Sequence, residues 1–214
     1  MTKSARTLIT SPVIISALFL ISCGLAKPYP VINTYDIDPP GLGPPVFSQI
    51  RPYVLRVSQF NTAAAYETSK FIYRTREGRL VEDFYNELMA GPSRLLADSL
   101  ATYLDRTNPY CQVVRAQGEK KADFVLEGYV AELLGDFSQN PPQARITVAV
   151  TLNDVRRNQV KIVLARTYQA QVTFNSETAA PAPELAQAAA QAWLQILTGL
   201  ERDIDEYFRG QKKR

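Results

Sequence analysis

The chain has 214 residues, of which 46% are hydrophobic, so its length and composition suit one globular domain with a real core. Its 24 Lys and Arg residues against 21 Asp and Glu give a net charge of +3, with no dense basic block outside the last few residues. These values argue against disorder throughout and against nucleic-acid binding. Histidine is absent, which excludes Ser-His-Asp and Cys-His catalysis and removes the commonest zinc ligand.

The first residues have the order of an export signal. Residues 1–7 carry Lys3 and Arg6 and no acid, and the stretch 8–21 that follows contains no charge. A membrane-spanning helix needs about 20 apolar residues. The uncharged stretch is shorter and Pro12 interrupts it, so a permanent transmembrane anchor is the weaker interpretation.

The uncharged stretch ends in Leu20, Ile21, Ser22 and Cys23, which resembles the lipobox of bacterial lipoproteins. The resemblance implies that Cys23 takes a diacylglycerol in thioether linkage, that signal peptidase cuts between Ser22 and Cys23, and that the new amino group is acylated. Two or three acyl chains, at about 0.8 kcal/mol per buried methylene, would anchor the protein stably. The alternative is a buried cysteine that acts as a small hydrophobic residue. Gly24 stands where an aspartate usually retains such proteins in the inner membrane, so the resemblance favours the periplasmic face of the outer membrane.

The signal peptide 1–22 is followed by residues 23–50, which are predicted to be the lipidated N-terminus and a proline-rich tether. Such a tether could hold the domain tens of ångströms from a membrane. Within it, VINTYDI (31–37) is rich in β-forming residues and is either part of the tether or an edge strand. The domain is predicted over 51–208 and a basic tail over 209–214.

Strand and helix signals alternate in the domain. Strands are predicted over 52–60 and 70–76, and a helix begins at Pro92 after the Gly91-Pro92 break and stops at Asn108-Pro109. A short strand at 111–115 precedes three long candidates: 123–137, 144–156 and 160–174. The last two are joined by a link short enough for a hairpin.

The last helix ends near residue 208 and carries one apolar stripe: Leu185, Ala189, Trp193, Ile196, Leu200 and Ile204. Together the elements predict an α+β fold, with a mostly antiparallel sheet of about five to six strands and two helices packed on one face.

The stretch 71–104 is similar to the ABC-type transport auxiliary lipoprotein family, whose members include paraquat-inducible protein C. The likeness lies in Tyr73-Arg74-Thr75, in the run DFYNE (83–87) and in the proline-led helix. It implies a non-enzymatic accessory protein of an MCE-type ABC transporter that moves phospholipid or another hydrophobic compound between two membranes. The implied partners are an MCE-domain protein and the ABC permease and ATPase, which are separate chains because this sequence has no GxxxxGK[ST] loop. No cofactor is implied beyond the acyl chains on Cys23.

Two groups of residues are candidate contacts for a partner. Arg74 and Arg76 would share one face of a strand over 70–76 and bind a lipid phosphate or a partner's acids, or they are exposed edge charges that discourage aggregation. The second group is either an interface anchor or core packing under the first helix: Asp83, Phe84, Tyr85 and Asn86.

Other residues suggest structural roles. Adjacent Glu82 and Asp83 point to opposite faces of a strand, so they are expected to be solvated charges or ion pairs. Trp193 is expected in the core and Cys111 is expected to be a buried thiol. The sequence leaves open a second function, an envelope-assembly lipoprotein that binds peptidoglycan or an outer-membrane complex, and it disfavours a hydrolytic enzyme.

Overall fold

The structure is a computed structural model that describes residues 30–39, 51–116, 120–157, 159–175 and 181–211. Its strands and helices are, in chain order, β1 (Asn33–Tyr35), β2 (Tyr53–Val57), β3 (Asn61–Thr62), β4 (Lys70–Arg74), β5 (Leu80–Leu88), α1 (Pro92–Thr107), β6 (Cys111–Arg115), β7 (Phe124–Asp136), β8 (Gln143–Asp154), β9 (Lys161–Thr173) and α2 (Ala182–Gln211). A single 3-10 turn, Ala64–Tyr66, lies between β3 and β4.

The three long strands β7, β8 and β9 form an antiparallel meander. β8 pairs with β7 from Phe124↔Asp154 to Asp136↔Gln143 and with β9 over its whole length, so the predicted hairpin is present. The alternation of β8 is also as predicted, because Ile146, Val148, Val150 and Leu152 are all buried on one face. β7 contains a bulge near Ala131, where the register with β8 shifts by one residue.

The other edge of β7 is paired with three short strands that run parallel to it. β2 pairs at Leu55↔Phe124, β3 at Asn61↔Tyr129 and β4 at Tyr73↔Gly135, so the chain from 53 to 74 follows β7 from one end to the other. β6 adds to β2 in parallel, β5 adds to β4 antiparallel, and β1 adds to β5 in parallel.

The predicted α+β class and the two helices are confirmed, and the long strands β7, β8 and β9 pair antiparallel as predicted, but the sheet has more strands than predicted and also contains parallel pairs. In the described part of the chain the sheet has nine strands and is mixed, because the short strands add parallel pairs to the antiparallel meander. The short strands explain the error. β3 has two residues and β1 has three, which is too few to produce an alternating pattern, and no local pattern reveals that a strand will pair in parallel with one about 70 residues away.

Both helices pack into the same hydrophobic core. α1 has Pro92 in its first turn and ends at Asn108, whose backbone N–H bonds to the Leu104 carbonyl. The α2 stripe that the sequence predicted is buried throughout. Trp193 is fully buried and its indole N–H donates to the Ser99 hydroxyl at 2.9 Å, which fastens α2 to α1.

Part of the predicted tether belongs to the folded unit, Ile32–Arg214. Asn33–Tyr35 forms β1 at the edge of the sheet, Ile37 is fully buried, and the Tyr35 ring lies 5.5 Å from that of Phe71. Among the described residues, no helix has the length and apolarity needed to span a bilayer.

Candidate docking surface

The candidate docking surface is built on an irregularity of β5. In the pairing with β4, Ile72 lies opposite Glu82 and Lys70 lies opposite Glu87. A single residue of β4 therefore faces residues 83–86 of β5, and the surplus backbone loops out of the ladder. We call residues 83–86 the β5 bulge.

Asp83 holds the bulge in shape. Its carboxylate accepts the backbone N–H groups of Tyr85 and Asn86 at 2.8 and 3.0 Å, the Asn86 side-chain amide at 2.9 Å and the Tyr73 hydroxyl at 2.5 Å. Burial alone would raise the pKa of the Asp83 carboxyl, but the hydrogen bonds from Tyr73, Asn86 and the backbone outweigh it and lower the pKa. Burial and the Asp83 carboxylate raise the pKa of Tyr73, which stays a neutral donor.

The bulge presents two aromatic side chains to solvent. Phe84 is 62% exposed and Tyr85 is 55% exposed, and their ring centroids lie 5.0 Å apart in an edge-to-face arrangement. Further large apolar side chains of the same hairpin are also exposed: Leu80, Val81 and Met89. An ordered backbone that displays clustered apolar side chains is typical of an interaction site.

The bulge lies at an edge of the sheet. β1 covers only residues 86–88 of β5, where Asn33 pairs with Asn86 and the Asn33 side-chain amide donates to the side-chain oxygen Oδ1 of Asn86 at 3.1 Å. Within the described part of the chain, no strand pairs with residues 80–85 on the side of β5 that faces away from β4.

The two arginines of the first candidate group do not lie on one strand, although both line the same groove. β4 ends at Arg74, and Arg76 lies in the following turn, where Gly78 adopts the positive φ that the turn requires. Arg74, Arg76 and Val81 line an open groove of about 550 Å³ beside the Tyr73 ring.

Arg74 is engaged inside the protein. Its guanidinium contacts Glu132 at 3.0 Å and Asp136 at 3.2 Å, and Arg145 of β8 contacts the same two carboxylates at 3.3 and 3.0 Å. These four side chains, which we call the cross-strand ion network, bridge β4, β7 and β8 on the face of the sheet opposite the helices. Arg74 is therefore already paired with two internal carboxylates, and its side chain is 23% exposed toward the groove that it shares with Arg76.

The remaining residues singled out in the sequence have structural roles or lie outside the described residues. Glu82 pairs with Lys70 at 3.3 Å on the surface. Cys111 is fully buried at the start of β6, and burial raises the pKa of its thiol to about 12, which leaves the thiol unreactive at neutral pH. Ser22, Cys23 and the whole signal peptide lie outside the described residues. Within those residues, no group of three or more acidic or cysteine side chains is placed to hold a metal ion.

Sequence reasoning missed two features of the surface. The exposure of Leu80 and Met89 was not anticipated, and Asp83 was considered for contact rather than for shaping the bulge. An aspartate often accepts hydrogen bonds from the backbone N–H groups two and three residues further along the chain, and this turn preference could have indicated the role of Asp83 from the sequence.

Comparison with known proteins shows the fold. No family model and no curated protein matches the chain. A crystal structure of a Xanthomonas campestris protein, described under the family model DUF330, has 20% identity and a TM-score of 0.70, covering 85% of this chain and 99% of its own. An uncharacterized protein has 17% identity and a TM-score of 0.62, over 81% of this chain and 99% of its own. A hypothetical protein from Chlamydia trachomatis has 8% identity and a TM-score of 0.51, over 72% of this chain and 97% of its own.

These likenesses define the class of the fold and correct the family assignment. All three lie below 25% identity, so they establish a shared α+β architecture and no shared activity. The resemblance to the ABC-type transport auxiliary lipoprotein family is not upheld, because no family model matches and the Xanthomonas neighbour is described under DUF330 instead.

Proposed function

We propose that this chain is a non-enzymatic, lipid-anchored protein of the bacterial cell envelope that acts by binding another protein on its β5 bulge. The observation that carries the proposal is the exposed pair of Phe84 and Tyr85 on a backbone fixed by Asp83. Aromatic side chains on an ordered backbone lose little entropy when they are buried, and such residues supply much of the binding energy at protein interfaces.

The charges around the bulge favour a protein over an anionic lipid surface. Lys70 beside Phe84 is paired with Glu82 at 3.3 Å, and Arg79 in the turn of the same hairpin is paired with Glu77 at 3.9 Å. Attraction to anionic lipid depends on clusters of unpaired Lys and Arg. An apolar centre with a rim of mixed charge is instead the usual composition of a protein interface.

The anchor is the part of the proposal that rests on the sequence. Cys23 would carry the diacylglycerol and the N-acyl chain after cleavage behind Ser22, and Gly24 would direct the protein to the periplasmic face of the outer membrane. Palmitate labelling of the native protein and of Cys23→Ala tests this, and complete loss of label is expected in the variant. Label retained by Cys23→Ala would contradict the anchor.

The finer proposal concerns the partner, an MCE-domain protein of an ABC-type transporter for phospholipid or another hydrophobic compound. The support is the order of the parts in the sequence: export signal, anchor cysteine, proline-rich segment and single domain. This order suits a protein that is anchored at one membrane and is contacted there by transporter subunits. The second candidate is an envelope-assembly role, with peptidoglycan or an outer-membrane complex as the partner.

Crosslinking in cells tests the docking surface. A photoreactive amino acid is placed at position 84 or 85 and, as the matched control, at Ile162 of β9, which is 62% exposed like Phe84. We expect protein adducts from 84 and 85 and none of the same size from 162. Transporter subunits among them would support the finer proposal, and assembly proteins would support the second candidate. Adducts only to lipid, or none, would overturn the docking surface.

Serine substitutions test whether the aromatic pair supplies the binding energy. Phe84→Ser and Tyr85→Ser should each lower partner capture at least about tenfold, because a lost anchor costs more than about 1.4 kcal/mol. Ile162→Ser should leave capture unchanged. The free energy of unfolding should stay within about 0.5 kcal/mol in all three variants, since the side chains are exposed.

A further inference from the structure

We infer that the partner presents its docking element at the surface of the same membrane that holds Cys23, because the chain between Cys23 and β1 is too short for the β5 bulge to work elsewhere. The inference rests on the proposed lipid anchor and on the proposed docking surface. It goes beyond both by fixing where the partner must be.

The N-terminal chain enters the sheet beside the bulge. Asn33, the first residue of β1, pairs with Asn86, the last residue of the bulge, and the Met89 backbone N–H donates to the Tyr35 carbonyl at 2.9 Å. Neighbouring strands lie about 4.8 Å apart. The point at which the chain leaves the folded unit is therefore one strand spacing from the docking surface.

β1 is firmly attached, so it sets the end of the tether. Its side-chain contacts include the Asn33 to Asn86 hydrogen bond and the packing of Tyr35 on Phe71, and the nearby Ile37 is fully buried in the core. The chain beyond Ile37 cannot contribute to the reach of the domain unless β1 leaves the sheet.

The remaining tether is short. Nine residues, 24–32, join Cys23 to β1, and at about 3.3 Å per residue they span at most about 30 Å. The tether predicted from the sequence, 24–50, would span about 90 Å at the same rise. Most of the proline-rich segment follows β1 and adds nothing to the distance between lipid and bulge. The partner's docking element must lie within this short range of the bilayer.

Tether insertions test the inference. A 30-residue Gly-Ser insertion after Ala26 lengthens the path from lipid to bulge from nine to 39 residues. The same insertion after Leu42 is the matched control, because it lengthens the chain behind β1 and leaves that path unchanged. Crosslinking to the partner from position 85 should fall about ninefold with the first insertion, since effective concentration falls as the −3/2 power of tether length. It should stay within twofold with the second.

The outcomes separate this inference from the proposed function. Unchanged crosslinking with the insertion after Ala26, in a protein where Phe84→Ser still lowers partner capture at least about tenfold, would overturn the short-range partner and leave the docking surface standing. Equal losses with both insertions would also overturn it, provided that both variants unfold at the parent's midpoint. Failure of position 85 to crosslink in the parent protein would overturn the docking surface itself.

Discussion

Asp83 is the residue on which the shape of the docking surface depends. Asp83→Asn keeps the size of the side chain but removes its charge. It also replaces one acceptor oxygen with an NH2 group, which cannot accept a hydrogen bond from the surrounding donors. We expect a loss of about 1–2 kcal/mol in the free energy of unfolding, measured by urea denaturation, because four donors converge on this carboxylate. Partner capture should fall as well, since Phe84 and Tyr85 lose their fixed positions.

The pH dependence of Asp83→Asn gives a second check. The folded protein lowers the pKa of Asp83, so the carboxylate's stabilisation is complete above the unfolded-state pKa of about 3.9 and is lost as the pH falls through the folded-state value. The difference in the free energy of unfolding between the native protein and Asp83→Asn should therefore shrink below about pH 4. Glu82→Gln is the matched control, and its surface ion pair should contribute less than about 0.5 kcal/mol. Equal losses from both substitutions would contradict the assigned role of Asp83.

At the level of the strands, β7 depends on a glycine that admits a core ring. A Cβ atom at Gly128 would lie 2.5 Å from carbon atoms of the Phe60 ring, and Phe60 is buried. Gly128→Ala should therefore cost about 1–3 kcal/mol in the free energy of unfolding. Phe60→Leu in the same chain should recover part of that loss. Gly210→Ala, where a Cβ meets nothing within 4 Å, should be nearly neutral, and a similar effect at both glycines would contradict the close approach.

The cross-strand ion network joins β4, β7 and β8. We expect it to contribute to the stability of the fold and not to partner binding. Asp136 is 1% exposed and relies on Arg74 and Arg145 for compensation. Arg74→Met should lower the free energy of unfolding by about 1–3 kcal/mol because it removes two contacts to carboxylates. Arg76→Met, in the exposed turn, should change it by less than about 0.5 kcal/mol. Partner capture by folded Arg74→Met should match that of the native protein, and a selective loss of capture would return Arg74 to the docking surface.

Across the whole molecule, the elements that the sequence predicted well are those with long internal patterns. The alternation from Ile146 to Leu152 and the α2 stripe are repeated often enough to identify the buried face. β2, β3 and β4 are specified by their pairing with β7, which brings together residues distant in sequence, and no local period encodes it.

The residues of the docking surface could be picked out from the sequence, but their exposure could not, because it depends on the pairing of two strands. The aromatic pair Phe84 and Tyr85 suits a core and an interface equally well in a sequence. The register shift between β4 and β5, which turns both rings outward, is a property of two strands together. Arg74 shows the converse case, because its acceptors Glu132 and Asp136 lie about 60 residues further along the chain.

Near its C-terminal end, α2 packs on the sheet through the buried ring of Phe208. Phe208 is 2% exposed, and its ring centroid lies 5.3 Å from that of Tyr53, 5.7 Å from that of Tyr110 and 5.0 Å from that of Phe124. It therefore joins the end of α2 to β2, to the start of β6 and to β7. Phe208→Ala should cost about 3–5 kcal/mol in the free energy of unfolding, because it empties a site where four elements meet.

The same substitution decides whether the end of α2 belongs to the cooperative unit. If it does, Phe208→Ala should lower hydrogen-exchange protection in β2 and β7 together with that of the helix, because all of them open in one transition. Leu194→Ala, at a partly exposed position of α2, is the matched control and should cost about 1 kcal/mol, well below the loss from Phe208→Ala. A loss of protection confined to the last turns of α2 would mean that the helix end frays by itself and that the sheet is stable without it.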